Sequence, residues 1–244
     1  MNVKLQAAIV TDVGLIRSNN EDLAHAGRRL FVLADGMGGP PAGDLASDIM
    51  INSLTYLDDF EAPVGYDALV ALRAGVDAAN EAIFAAAEED SGRAGMGTTV
   101  TALLLADDGT LALVHVGDSR GYRFRDGALT QITIDDTYVQ LLVDQGSLAR
   151  EDARHHPQRA LVTQAVQGGV FEPHCAVFEP QQGDRYLLCS DGLSDIITDE
   201  TIEATLRTYP DPLECGQRLV KLTLAAGSPD NVTVLLVDVT AASL

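Results

Sequence analysis

Three aspartates stand where apolar, strand-like runs meet glycine or open from polar residues. They are Asp35 in LFVLADGMGG, Asp191 in YLLCSDGLSD and Asp230 in SPDNVTVLLVDV. A single Asp-Gly pair is usually only a turn, because Asp caps its own backbone and Gly supplies positive φ. Three such sites, each on a run apolar enough to be buried, predict instead that carboxylates converge on one edge of the sheets. Left bare, they would repel one another and some would have to protonate. Hard divalent cations remove that cost, since Mg²⁺ and Mn²⁺ prefer carboxylate and water oxygens. Gly36 beside Asp35 would then leave its carbonyl free as a ligand and leave space for metal-bound water. Two more groups suit the same chemistry. RSNNED places Glu21 and Asp22 just before the first Asp-Gly strand, with Arg17 close by, and VHVGDSRGYRF places Asp118 in a tight turn between two strands. Found alone, the first would be a solvated acidic loop and the second a hairpin turn.

Other chemistries fail on spacing. Six residues beyond Cys175 stands Gln181, not the arginine that a cysteine phosphatase needs to hold phosphate. There is no HExxH helix for zinc, no GxxxxGK[ST] loop for nucleotide and no GxSxG elbow for a serine nucleophile. His115 lies on an apolar strand and reads as a satisfied core residue. His155 and His156, in a polar stretch, stay open as substrate contacts, because loops carry function more often than cores do.

These residues need a scaffold, and 244 residues with 46% hydrophobic content can build one sizeable core. Strand-like runs fall at about 4–11, 29–34, 97–106, 110–117, 120–125, 128–134, 173–178, 184–189 and 231–239. Two helices intervene after the second run, and in the longer one Leu69, Leu72, Val76, Ala79, Ile83 and Ala87 trace one face. Further helices are predicted at Thr198–Tyr209, with Thr198 as N-cap, and at Leu213–Ala226. Short hairpin-like spacings argue for antiparallel sheets packed together with helices outside. Residues 135–169 are polar and weakly patterned, and read as a mobile insert over the surface.

The charge limits the partners. Sixteen basic against 36 acidic residues give −20, and only Lys4 and Lys221 are lysines, so nucleic acid and anionic membrane are excluded. Cys175, Cys189 and Cys215 form no CxxC pair, which suggests neither a disulfide framework nor a zinc knuckle. The N-terminal apolar run is too short for a signal peptide and no segment approaches 18 apolar residues, so a reduced, cytoplasmic monomer is expected.

Taken in order, GLIRSNNED, LADGMGG, GTTVTALLL, HVGDSRGYRF, LLCSDGLSD and DNVTVLLV resemble the metal-dependent protein phosphatases of type 2C in their small bacterial form. The resemblance implies an α+β fold in four layers, α/β/β/α, with two antiparallel sheets flanked by helices. It implies one catalytic domain over 1–244 with a substrate-dependent flap at about 135–169. Asp35 would bridge two Mn²⁺ or Mg²⁺ ions, with the Gly36 carbonyl on the first and Asp191 and Asp230 on the second. Glu21 and Asp22 look like outer ligands that hold metal-bound waters. A third, weaker ion would use Asp118 with Asp191 or Asp195, and Arg17 matches the arginine that holds substrate phosphate.

The implied activity is hydrolysis of phosphoserine and phosphothreonine in proteins, by in-line attack of a metal-bridging hydroxide, reversing a protein kinase. No covalent phosphoenzyme is expected. Three departures concern substrate contacts rather than metal ligands. Pro40, followed by Pro41, replaces the histidine usual after DGMGG; Asp135-Asp136 replaces an aspartate-histidine pair; and LVTQAVQG lacks an arginine common there. The alternative is a pseudophosphatase that keeps the fold to bind a phosphoprotein.

Overall fold

A computed structural model describes residues 3–39, 42–59 and 67–241. In chain order these form β1 (Val3–Asp12), β2 (Asp22–Ala26), β3 (Leu30–Met37), α1 (Ala42–Asp59) and α2 (Ala68–Glu89). Next come β4 (Gly97–Thr98), β5 (Val100–Leu105), β6 (Leu111–Val116), β7 (Arg120–Arg125) and β8 (Ala128–Gln131). Then follow α3 (Tyr138–Asp144), α4 (Arg150–Ala153), β9 (His174–Phe178) and β10 (Arg185–Cys189). The chain closes with α5 (Asp191–Ser194), α6 (Asp199–Thr208), α7 (Pro212–Ala225) and β11 (Val232–Ala241).

One antiparallel sheet runs β1-β11-β10-β7-β8 and the other β2-β3-β5-β6-β9, with β4 paired to β3. Side-chain alternation along the strands dictates the layers. On β3, Leu30, Val32 and Ala34 join the cluster under α1 and α2. Phe31 and Leu33, on the other face, pack with Tyr186, Leu188, Leu235 and Val237 of the opposite sheet. On β10 and β11, Leu187, Cys189, Val234 and Leu236 instead face α6 and α7. Strands apolar on both faces therefore make two central sheets with helices outside, as the sequence predicts.

The helices start where their caps require. Asp67 accepts from the N–H groups of Leu69 and Val70 at the head of α2, and Thr198 accepts from Thr201 N–H at the head of α6. Each satisfies a donor that the first turn leaves without a helical partner.

Asp22, read as lying just before the first Asp-Gly strand, itself opens a strand, β2, directly across from Asp35 on β3. Two expectations are corrected. Asp118 is not on a hairpin. Strand β6 is already paired on both edges, with β5 and β9, so residues 117–119 cross to the other sheet, where β7 pairs with β8 and β10. The insert at 135–169 holds the short helices α3 and α4 and is fastened to the body. Asp136 N–H donates to the Gly117 carbonyl at 2.7 Å, and Thr98 N–H to Val166 at 3.0 Å. Pro40 and Pro41, the site of one departure, lie outside the described residues.

Candidate metal centre

The apolar layer between the sheets ends in polar groups, and alternation carries them there. After Phe31 and Leu33, the next β3 side chain of that parity is Asp35; after Tyr186 and Leu188 on β10 comes Ser190. Ser190 Oγ donates to Asp22 Oδ2 at 2.7 Å and accepts from Thr233 N–H at 2.9 Å, so it ties β2 of one sheet to β11 of the other. The sequence reading left Ser190 out. It is fully buried and bonded on both sides, a strut rather than a nucleophile.

Asp191 follows as the first residue of α5, and Asp230 stands just before β11. Asp230 Oδ1 accepts from Asn231 N–H at 2.9 Å, while Oδ2 accepts from Arg17 Nη2 at 2.8 Å. Asn231 was also missed, beyond its place at the head of the strand. Its Oδ1 accepts from Glu21 N–H and its Nδ2 donates to the Val13 and Asn19 carbonyls, each at 2.9 Å. One buried carboxamide thereby fixes the whole segment that bears Arg17, Glu21 and Asp22 against the Asp230 corner.

Gly36 must be glycine for a packing reason too: a Cβ there would strike the carbonyl oxygens of Gly43 and Glu21. Glu21 itself is buried, and its Oε1 accepts from Asn19 Nδ2 at 3.1 Å.

The electrostatics decide what this corner is for. Asp35 is pushed well above the usual carboxylate range by burial, then by the charges of Asp22, Asp191, Asp118 and Asp230. Asp191 is raised likewise, by burial and then by Asp118, Asp195, Asp230 and Asp22. Burial followed by Asp135 and Asp195 lifts Asp118 to about 7, and burial lifts Asp22 to about 6 despite the Ser190 hydrogen bond. Burial also raises Asp195, whose Oδ2 lies 3.5 Å from Arg159. Arg17 is raised by its bond to Asp230. The predicted site residues are thus brought together. Asp118 and Asp195 form one end, beside a cavity of about 310 Å³ that Arg120 and Arg154 also line.

His155 and His156 do not join them. His155 is exposed, and His156 Nδ1 accepts from Gln158 N–H at 3.2 Å while its ring lies 6.4 Å from that of Tyr138. His115, as expected, is a core residue.

The donor chemistry suits a hard divalent cation, being all oxygen and negative. Asp22 Oδ1 is buried with no partner, an acceptor that folding alone leaves unused. Among the described residues no three His, Cys, Asp or Glu side chains are set to hold an ion by themselves. Arg17 occupies one Asp230 oxygen. An ion here would take much of its shell from water, as Mg²⁺ does.

The family model for protein phosphatase 2C matches residues 18–224. The chain belongs to that family. It is 53% identical over 235 residues to the serine/threonine protein phosphatase PstP of Mycobacterium tuberculosis, covering 96% of this chain and 45% of the relative. The serine/threonine phosphatase stp of Listeria monocytogenes is 32% identical over 243 residues, covering 96% of each. Among solved structures, the PstP catalytic domain in complex with two manganese ions superposes with a TM-score of 0.91 at 50% identity, covering 98% of this chain and 100% of that one. This chain therefore spans about half the length of the mycobacterial relative and nearly all of the listerial one.

Proposed function

We propose that this 2C-family chain is a metal-dependent serine/threonine phosphoprotein phosphatase. The observation that carries the proposal is the group of aspartates at the open end of the two sheets, where Asp35 and Asp191 are raised by burial and then by their neighbours' charge, with the Arg17 guanidinium paired to Asp230 at the rim. Asp35, the Gly36 carbonyl, Asp191 and Asp230 would hold a pair of Mn²⁺ or Mg²⁺ ions, with Glu21 and Asp22 as outer ligands. Asp118 with Asp191 or Asp195 would hold a third, weaker ion. The two manganese ions in the PstP catalytic domain support a pair of divalent ions in this fold. Such ions supply positive charge for phosphoryl oxygens and lower the pKa of water.

The chain's own residues supply the rest. Arg17 is about half exposed on a single carboxylate oxygen, so it can turn to a phosphate and grip it through two N–H groups. Asn231 keeps that arginine in register with Asp230. Ser190 holds Asp22 against the opposite sheet, which limits how far the carboxylates can spread. Residues 135–169 would be the flap over the substrate, and the family match over 18–224 supports one catalytic domain. The partner would be a phosphorylated protein, and the reaction would reverse a serine/threonine kinase. Unpaired Cys175, Cys189 and Cys215 support a reducing, cytoplasmic setting, and no described helix is long and apolar enough to cross a membrane.

Hydrolysis of p-nitrophenyl phosphate with Mn²⁺, Mg²⁺ or EDTA tests this. Turnover with either ion and none in EDTA is expected. Binding of a phosphoprotein without metal-dependent turnover would sustain the pseudophosphatase instead.

A further inference from the structure

Beside Arg17 the surface changes character. Leu15 is 61% exposed and Ile16 78%, and among the large hydrophobic residues described only Val170 is more exposed than Ile16. Single exposed apolar residues are ordinary. Two in succession, held rigidly in water one residue from a phosphate-binding arginine, are not.

The rigidity is visible in the anchors. Leu15 N–H donates to the Ser228 carbonyl at 3.1 Å, Gly14 N–H to Asp12 Oδ1 at 2.9 Å, and Asn231 holds the Val13 carbonyl. Gly14 itself sits at φ +78°, with its Cα pressed so closely on the Asp230 carbonyl that no Cβ would fit. The loop is thus tied to the Asp230 corner at Val13 and Leu15 and, beyond the pair, through the Arg17 ion pair and the Asn19 carbonyl. The clamp that places Arg17 also places the apolar pair.

We propose that Leu15 and Ile16 form an apolar ledge that receives an aliphatic or aromatic side chain flanking the phosphorylated residue of the substrate. The ledge rests on the phosphatase function proposed above and deepens it, because it names a substrate class for that same site. Its occupant follows from continuity: a phosphate held by Arg17 brings the flanking peptide over the residues just before it. An extended peptide advances about 3.4 Å per residue, so a side chain one or two positions from the phosphate can reach Ile16 and Leu15. The net charge of −20 makes flanking acidic residues poor competitors. Substrates with an apolar neighbour to the phosphothreonine or phosphoserine are therefore preferred.

The test compares two phosphothreonine peptides, one flanked by Leu or Val and one by Ser, with p-nitrophenyl phosphate as a substrate that has no flanks. Wild-type protein with Mn²⁺ should favour the apolar peptide about five- to tenfold in kcat/KM, the size of a partly covered aliphatic contact. The double variant Leu15→Ser, Ile16→Ser should lose that preference through KM, with its melting temperature held, since both side chains lie in water. Single variants separate the two positions. No preference in wild type, or an equal loss on both peptides, would overturn the ledge. A wild-type dimer that the double variant breaks into monomers would overturn it as well, making the pair a contact between copies. Absence of p-nitrophenyl phosphate turnover by wild type is the distinct result that removes the phosphatase function, and the ledge with it.

Discussion

Asp35 on β3 and His115 on β6 project into the same layer between the sheets, yet their surroundings are opposite. His115 is fully buried and faces its register partner Thr101. Its Nδ1 lies 2.9 Å from Thr101 Oγ1 and its Nε2 3.1 Å from the Ile134 carbonyl. A neutral ring has one donor and one acceptor, so Nε2–H donates to Ile134 and Nδ1 accepts from Thr101. Nothing is left over. At Asp35 burial raises the charged form's cost in the same way, but its neighbours are more carboxylates, and Asp22 keeps an unpartnered oxygen. Burial alone therefore does not mark a functional group. What marks it is burial that the protein leaves uncompensated, because only such a site gains by admitting a cation.

The largest effect that could break this contrast lies in the carboxylate core. Asp35→Ala and Asp191→Asn should each lower metal-dependent turnover by about 10⁴-fold, as expected for losing several kcal/mol of charge stabilisation. Mn²⁺ should raise the melting temperature of wild type, since it binds the folded state, and should do so far less in either variant. A wild-type melting curve indifferent to Mn²⁺ would show that the clustered carboxylates are not waiting for a cation at all.

Asp118 tests where the cluster ends. It sits on the crossover between sheets, raised by burial, Asp135 and Asp195. Asp118→Asn should keep the Mn²⁺-dependent melting shift and lose about 10²–10⁴ in rate, the range of proton-transfer catalysis. If this end manages the leaving-group proton, phosphoserine peptides will suffer more than p-nitrophenyl phosphate. Loss of the melting shift would instead make Asp118 part of the core of the site.

Arg17 offers a gentler break. Arg17→Ala should raise KM for phosphopeptides by about ten- to hundredfold with kcat less affected, from a charge-assisted bond worth about 1.5–3 kcal/mol. Its ion pair with Asp230 is half exposed, so little stability should go with it. Unchanged KM and kcat would return Arg17 to the status of a surface charge.

Much of this contrast was legible in the sequence, and the failures have physical causes. Long strands such as β3 and β11 show as apolar runs because both of their faces are covered. Thr198 and the apolar stripe of α2 are equally local signals, and the structure follows them. Strand β2 was invisible because Asp22, at its mouth, is held there by Ser190 of another sheet, and a polar strand end breaks the alternating pattern. The turn at Asp118 looked like a hairpin because spacing reveals two strands but not their partners, and the edges of β6 belong to β5 and β9. Asn231 could not be recognised as a clamp, since its three partners lie more than 200 positions away in the chain. Two-turn helices such as α3 are too short to display a period of 3.6, so the flap read as irregular.

The smallest predicted effect lies on the satisfied side of the comparison, at His115. Burial lowers its pKa from 6.5 to about 4. As pH falls through 6.5 the unfolded chain takes up a proton that the folded ring refuses until about 4, so the unfolded state binds more protons across that window. Stability must then fall with falling pH, by about 2 kcal/mol between pH 7 and pH 5 from this residue alone. Carboxylates titrate nearby, so the difference between wild type and His115→Gln isolates the ring. The amide can still donate toward Ile134 and accept from Thr101, which keeps the layer polar-satisfied, but it has no proton to gain. Urea midpoints measured in EDTA across this range should show the wild-type curve falling about one proton more steeply than the variant. Parallel curves would mean that His115 already binds its proton in the folded protein. The satisfied half of the layer would then need its own counter-charge, and the distinction drawn between it and the aspartate cluster would fail.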